Sequence, residues 1–421
     1  MQYSLGNMLK GGGALNPDGL SLDLAFALDK TLTPRKGPRP NFTRAQATST
    51  GSTYVGSDGL IKYAAANEPR FDHDATGASK GLLIEESRIN YIAQSENFAN
   101  AWWLKSVLGI VSLNKELTIP DPAGGFNSTR VEVNAGFSIY RDPISSVPDG
   151  TRSVSIFARA VTGGLNSIAL LGTGATVRIN LATGAVIANI GTVAASLKVE
   201  RFGGIGADGF NWWRISYATT TTSVGGFYIE PVGTVSGAAT AFLIFGAQYE
   251  VGAFPTSYIP TATTSLTRSA DVCSITGADF ASFHNPNEFS ALCDFSFLST
   301  AAAGAMAPIA LNQSGVNGVL LYKGILSSGV SVYHVAANSA LGSVSVNVRA
   351  KGAFAYDEDS TVGVLDGGSV SPETGSSSLT FVEMTIGRNR TGVHPMSGHI
   401  ARIQYFRKRL SNAKLQTLTA P

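Results

Sequence analysis

Two tryptophan doublets, Trp102-Trp103 and Trp212-Trp213, are the residues in this chain best suited to holding a ligand. An indole face stacks on the apolar side of a pyranose ring, and neighbouring amide or guanidinium groups bond the sugar hydroxyls. Trp213 stands beside Asn211 and Arg214, and Trp103 and Tyr258 offer two more aromatic faces, so these five form the candidate carbohydrate-binding set. On a strand, consecutive side chains face opposite ways, so one member of each doublet is expected inward and the other outward. A core role for at least one tryptophan of each pair is the competing expectation. Tyr140 and Phe254 are lesser aromatic candidates in loops.

The dense carboxylate cluster is the turn Tyr356-Asp357-Glu358-Asp359-Ser360, with Asp366 following. Alternating carboxylates such as Asp357 and Asp359 are Ca²⁺-ligand chemistry, but no EF-hand pattern surrounds them, and a solvated loop is the plainer expectation. A glycosidase needs two carboxylates facing each other across roughly 5 to 9.5 Å, which neighbours on one turn seldom do. His73, His284, His334, His394 and His399 are scattered, with no His-Glu-x-x-His and no Gly-x-Ser-x-Gly. Gly203-Gly204-Ile205-Gly206 lacks the lysine and helix start of a phosphate loop, so it reads as a turn. No catalytic constellation emerges. The chain is expected to be no enzyme and to need no cofactor, Ca²⁺ aside. Cys273 and Cys293 form no Cys-x-x-Cys and no Cys/His cluster, so two buried thiols are expected rather than a zinc site, with one disulfide as the alternative.

Bulk composition narrows the partners. At 421 residues the chain is long enough for two or three domains. Lys and Arg number 31 against 29 Asp and Glu, a net charge of +2, so no basic field is present to hold nucleic acid or an anionic membrane. The opening Met1 to Pro17 lacks a basic start with a long apolar core and is not expected to be a signal peptide. No window approaches the ~18 apolar residues that span a bilayer. Charged residues at 14% and 47 glycines point to β-sandwiches joined by turns.

The elements that must carry these groups are therefore strands. Val154, Ile156 and Ala158 alternate with Ser153, Ser155 and Phe157, the period of a sheet with one covered face. Similar runs recur from Ser128 to Glu250, broken by turns such as Thr162-Gly163-Gly164, Thr183-Gly184 and Asp208-Gly209. After a Thr/Ser linker at 261–268, a second series runs from Asp271 to Phe406. No long amphipathic helix intervenes, so the fold class is all-β, with two antiparallel β-sandwich domains. Residues 1–80 differ. They hold a Lys10-Gly11-Gly12-Gly13 joint, an extended run from Thr33 to Pro40, and one small hairpin, Thr53-Tyr54-Val55 against Leu60 to Tyr63. Such a segment buries little by itself, so an extended N-terminal arm is expected, ordered by packing on another chain or on the bodies behind it. Glu68 to Glu86, with its Asp74 to Gly81 turn, reads as the joint between arm and bodies.

That joint resembles a segment recurring in bacteriophage virion proteins, chiefly tail and fibre proteins, where it precedes a jelly-roll, carbohydrate-binding-module-like domain. Arg70, Phe71, Asp72, Gly77, Gly81 to Glu86, Arg88, Asn90, Ser95, Glu96, Phe98 and Trp102 carry the likeness, and Ile89 stands where the family usually has Thr. Phe245 to Pro260 resembles the closing strand and tail of the same domain. Met384 to Arg388 and Ser397 to Leu418 resemble the end of laminin-G-like, concanavalin A-type sandwiches, with Ser411 capping a terminal helical turn that carries Leu415 and Leu418. The resemblance implies three parts: a virion-attachment arm over 1–80, a jelly roll over 81–268 and a laminin-G/concanavalin A-like sandwich over 269–421. Laminin-G-like domains often hold Ca²⁺, which is the bearing of Asp357 and Asp359. It further implies a structural virion protein of tail or fibre type, assembled in the host cytoplasm and exposed on the particle exterior. Such a protein would be a homo-oligomer, fastened to other virion proteins by its arm and displaying loops to host surface polysaccharide. The alternatives are an architectural head-decoration or neck fibre protein without ligand, and a glycan depolymerase.

Overall fold

Leu22 and Leu24 belong to the segment expected to be an arm, and Leu82 and Ile84 to the first strand of the expected jelly roll, yet burying each is worth roughly 1.5–3 kcal/mol. In the computed structural model all four are 0–1% exposed, inside one core with Phe289, Phe354 and Ile403. The structure describes residues 18–421 except 46–50, 107–108, 137, 142–143, 145–146, 165–166, 173–174, 192–195, 204–205, 207, 222–225, 233–239, 300–305, 315–316, 325–327, 335–336, 372–373, 376–378 and 390–394.

Strands Leu20–Leu24 and Ser79–Ile84 both pair antiparallel with Gly398–Phe406, and Arg70–His73 extends the same sheet. Glu288–Phe297, Ala350–Asp357, Ser360–Leu365 and Thr374–Gly375 complete its eight strands. Across the shared core lies a seven-stranded sheet in which Asn41–Thr43 pairs with Val272–Thr276. The expectation of an extended arm is thus corrected for the described residues of 18–80. Their short apolar runs cannot make a sheet alone, but outside the hairpin at 53–63 they complete the edge and core of the C-terminal sandwich. The boundary expected at 80–81 falls inside the strand Ser79–Ile84, where Gly81 has φ +103° and a Cβ would strike the Ile400 carbonyl. Residues 1–17, with Lys10 to Gly13, lie outside the described residues.

Between Asn90 and Leu266 the chain builds a second, inserted sandwich. One six-stranded sheet runs Lys198–Phe202, Trp212–Thr221, Gly150–Ala160, Thr240–Val251, Thr129–Val133, Ile110–Lys115. The other contains Val186–Gly191, Ala175–Asn180, Ser167–Gly172, Phe227–Pro231, Ile139–Arg141 and Leu104–Lys105. Val154, Ile156 and Ala158 face the core between them, as their alternation predicts. Phe157, on the opposite face, is also buried, against Phe245, Tyr258 and Ile61. The cover comes from the predicted hairpin, Thr53–Val55 against Ile61–Tyr63, which lies on the outer face of the inserted sandwich. The terminal helix Asn412–Thr419 is capped as expected, Ser411 accepting the Lys414 N–H at 3.3 Å, with Leu415 buried and Leu418 packed beside it. Cys273 and Cys293 are free and buried.

The two sandwiches are locked together by a buried ionic joint that includes the motif residues Arg70 and Glu85. Arg44, Arg70 and Arg268 face Glu85, Glu250 and Asp271, all 0–1% exposed. Asp271 pairs with Arg44 at 2.9 Å and Arg70 at 2.5 Å, and Glu85 pairs with Arg70 at 2.7 Å and Arg268 at 3.0 Å. Ser257 donates its N–H and hydroxyl to Glu85, each at 2.7 Å, tying in the closing tail of the inserted sandwich. Glu250 accepts the Thr256 N–H at 2.9 Å. Three positive and three negative groups balance, as burial of charge requires. Burial pushes the Glu85 carboxyl up, but Arg268 and Arg70 outweigh it and hold it down at about 2.

Candidate functional site

Locking the sandwiches leaves a cleft of about 370 Å³ between them. One wall belongs to the inserted sandwich. There Lys198 lies opposite Ser216, Glu200 opposite Arg214 and Phe202 opposite Trp212 in antiparallel register, so these side chains share one face. The other wall is the completed sandwich and its hairpin, with Tyr54, Asp72, His73, Lys80 and Leu298, and Pro255 to Tyr258 form the bordering tail.

The acidic groups of the second wall are already engaged. Asp72 accepts the Val55 N–H at 2.7 Å and the His399 Nε2 proton at 2.8 Å, and Lys80 stands 3.6 Å away. Burial raises the Asp72 carboxyl, but the bond and charge of His399 outweigh it and leave it below the usual range. Glu85 belongs to the joint. The basic groups are less satisfied. Arg214 donates Nη2 to the Thr256 carbonyl at 2.6 Å and to Ser155 Oγ at 3.4 Å, while its buried Nε has no partner among the described residues. Among the described residues Lys198 reaches only the Leu298 carbonyl, at 3.4 Å. Burial is the main cause that lowers its pKa; exposed Glu200 opposes this, and Arg214 and Lys80 reinforce it. His73, 5% exposed, uses Nδ1 on the Val55 carbonyl at 2.9 Å, and its Nε2 is unpartnered among the described residues. A cleft with spare donors and acceptors, one tyrosine face and cations that no described carboxylate pairs suits a polar, hydroxyl-rich ligand.

Of the five residues singled out from the sequence, Arg214 and Tyr258 line this cleft. Tyr258 is only 2% exposed, and its hydroxyl is held by Ser95 Oγ at 2.7 Å and Glu96 Oε1 at 3.1 Å, so its ring is wall and not platform. Trp103 is corrected to core: 1% exposed, stacked on Phe98 at 4.9 Å, its Nε1 donating to the Gln94 carbonyl at 3.0 Å. Trp213 does face opposite to its neighbour, but toward the sandwich interior. Its Nε1 donates to the Leu181 carbonyl at 2.8 Å and its ring lies over Gly184, so alternation separates it from Arg214. Trp212 shares the Arg214 face and is buried under the hairpin, with Nε1 on the Pro120 carbonyl at 2.9 Å. Asn211 does not line the cleft. Lys198, His73, Lys80 and Tyr54 were not read from the sequence; for Lys198 the alternation of Lys198, Glu200 and Phe202 was the available signal.

Asp357 caps its own turn, Oδ1 accepting the N–H groups of Asp359 at 3.1 Å and Ser360 at 2.7 Å, while Oδ2 pairs with Arg409 at 2.9 Å. Among the described residues no group of three or more His, Cys, Asp or Glu is placed to hold a metal. Ser296, His399 and Asp72 occur in the order of a hydrolase triad, but Ser296 Oγ is 3.5 Å from His399 Nδ1 and neither residue lines the cleft. No described helix is long and apolar enough to cross a membrane.

No family model matches this chain, and no curated protein matches it. Among solved structures it is similar to the carbohydrate-binding module CBM40 of Ruminococcus gnavus IT-sialidase bound to α2,3-sialyllactose, with 15% identity over 34% of this chain and 88% of that one and a TM-score of 0.29. It is also similar to the receptor-binding domain of botulinum neurotoxin mosaic serotype C/D, with 11% identity over 35% of this chain and 39% of that one and a TM-score of 0.28. For Trypanosoma rangeli sialidase the identity is 10% over 58% and 47%, with a TM-score of 0.30. Likenesses of this degree name no family and assign no ligand.

Proposed function

We propose that this chain is a non-catalytic adhesion protein that holds a host-surface glycan in the cleft between its two sandwiches, as a structural part of a bacteriophage tail or fibre. The observation that carries the binding reading is the cleft itself: a ligand-sized space, rigidly framed by the joint, in which the His73 Nε2 and Arg214 Nε atoms are unpartnered among the described residues. The virion reading is supported by the motif residues Arg70, Asp72, Glu85, Arg88 and Ser95 and by the closing run Phe245 to Pro260. Several copies on one particle exterior turn weak single sites into firm attachment. Fastening by a loose leader is not proposed for the described residues of 18–80, which join the C-terminal sandwich or form the hairpin against the inserted one.

The test is a glycan array probed with the folded protein and with Ser216→Trp, which fills the cleft from its wall. Binding to a host polysaccharide that the variant loses, with no release of reducing ends, is the expected result. A flat array, together with incorporation of the protein into particles, assigns it to particle architecture instead. Release of reducing ends makes it a depolymerase.

A further inference from the structure

The cleft has a charge asymmetry that the glycan reading alone does not explain. Its carboxylates are matched or open to solvent: Asp72 by His399 and Lys80, Glu85 by Arg70 and Arg268, and Asp74 by the N–H groups of Thr76 and Ala78 at 2.8 and 3.0 Å. Glu200 is exposed on the rim. Lys198 and Arg214, both partly buried, make no ion pair with any described residue and bond only carbonyls and one hydroxyl. They are diagonal neighbours on one face of an antiparallel pair, a spacing of roughly 7–8 Å. Lys80 acts on the same field from the opposite lobe. Cations brought together away from water repel one another and lose solvation, a cost that a bound anion removes. A planar carboxylate between an ammonium and a guanidinium satisfies both, and the guanidinium Nε, shielded from solvent, has no partner among the described residues.

We propose, on top of the glycan-binding reading, that the ligand is an acidic saccharide whose carboxylate sits between Lys198 and Arg214, with a sugar hydroxyl donating to His73 Nε2. Neutral sugars lack the group that this pair is built to receive. A phosphorylated sugar presents a related charge, so the experiment separates the two.

Calorimetric titration of the folded protein with oligogalacturonate, hyaluronate oligomers and sialyllactose, each beside its methyl-esterified or carboxyl-reduced form, tests this. Glucose 6-phosphate serves as the phosphate arm. At least one carboxylated probe is expected to bind at least about tenfold tighter than its neutral form, more weakly in high salt. Lys198→Met and Arg214→Gln are each expected to cost about tenfold or more in affinity while the protein stays folded, as circular dichroism and cooperative melting check. Equal binding of acidic and neutral forms, abolished by Ser216→Trp, overturns the acidic assignment and leaves the glycan reading standing. Preference for the phosphate overturns the carboxylate, and acidic binding untouched by Lys198→Met and Arg214→Gln overturns the location. No binding of any probe takes down both this inference and the reading beneath it.

Discussion

The joint and the cleft border one another, share Glu85, Thr256 and Ser257, and are built from the same residue types, yet they treat charge in opposite ways. In the joint, Arg44 and Arg70 each lie against Asp271, and Arg70 and Arg268 each lie against Glu85, with all five fully or almost fully buried. In the cleft, Lys198 and Arg214 have no described carboxylate partner and keep part of their surface open. Arginine and glutamate in a recurring motif are readily taken for ligand groups. Here the motif pair Arg70–Glu85 is sealed structure, and the open cations lie on strands outside the motif. Pairing, not residue type, separates a group that holds the fold from one that awaits a partner.

That contrast makes its largest prediction for stability. Glu85→Gln leaves Arg70 and Arg268 buried with a charge removed between them, so it is expected to cost roughly 3–5 kcal/mol. Chemical denaturation measures the loss, and limited proteolysis should show cleavage around Glu86 to Asn90, where the chain passes between sandwiches. A loss under about 1 kcal/mol would mean the joint is not what holds the lobes.

Two glutamates extend the contrast to pH. Glu85 is held at about 2, below its ordinary 4.5, so its stabilisation is complete above 4.5 and drains away as pH falls toward 2. Glu96 is pushed the other way, to about 7, by burial, against the Tyr258 hydroxyl bond and with Asp121 adding to the rise. The folded state then holds a proton that the unfolded chain gives up near 4.5, so stability falls as pH rises from 4.5 to 7. Glu96→Gln should flatten that slope, gaining on the order of 1–3 kcal/mol at pH 8 and little at pH 4.5. Denaturation at those two pH values decides it, and a parallel shift at both would refute the buried-carboxyl account.

How much of this was legible follows from where each group finds its partner. Strand alternation and Gly-rich turns marked Thr151 to Arg159, the hairpin at Thr53 to Tyr63 and the Ser411 cap, because those signals are local. Imperfect alternation from Leu20 to Leu28 suggested a strand but not its place, and Asn41–Thr43 gave no such signal, since their partners at Ile403 to Phe406 and Val272 to Ser274 lie hundreds of positions away. Glu68 to Glu86 was readable as a junction, but not that Arg70 would meet Asp271, 201 positions on. Alternation correctly split Trp212 from Trp213; which face was interior depended on the far sheet and on the hairpin. Arg214 and Tyr258 were reached by chemistry, whereas Lys198 and His73 line one cleft only because the inserted sandwich docks.

In the cleft the same logic reverses the sign of a charge removal. Lys198→Met deletes a desolvated ammonium with only a 3.4 Å contact to a carbonyl, so stability should be unchanged or rise by up to about 1 kcal/mol. A loss like that of Glu85→Gln would mean Lys198 is structural and the contrast false.

The smallest effect tests whether a third charged cluster belongs with either. Asp357 is spent on the N–H groups of Asp359 and Ser360 and on Arg409, with about a third of its side chain exposed (32%). Asn at this position keeps an oxygen for the turn and loses only a solvent-screened ion pair, so Asp357→Asn should cost roughly 0.2–1 kcal/mol. If the turn is only a cap, millimolar Ca²⁺ or a chelator leaves the melting temperature where it was, since one committed carboxylate and exposed Asp359 fall short of the six to eight oxygens Ca²⁺ takes. A Ca²⁺-dependent rise in melting temperature that Asp357→Asn or Asp359→Asn removes would show a metal site assembled from this turn. Asp357 would then resemble the cleft cations, a charge awaiting its partner, rather than the sealed pairs of the joint.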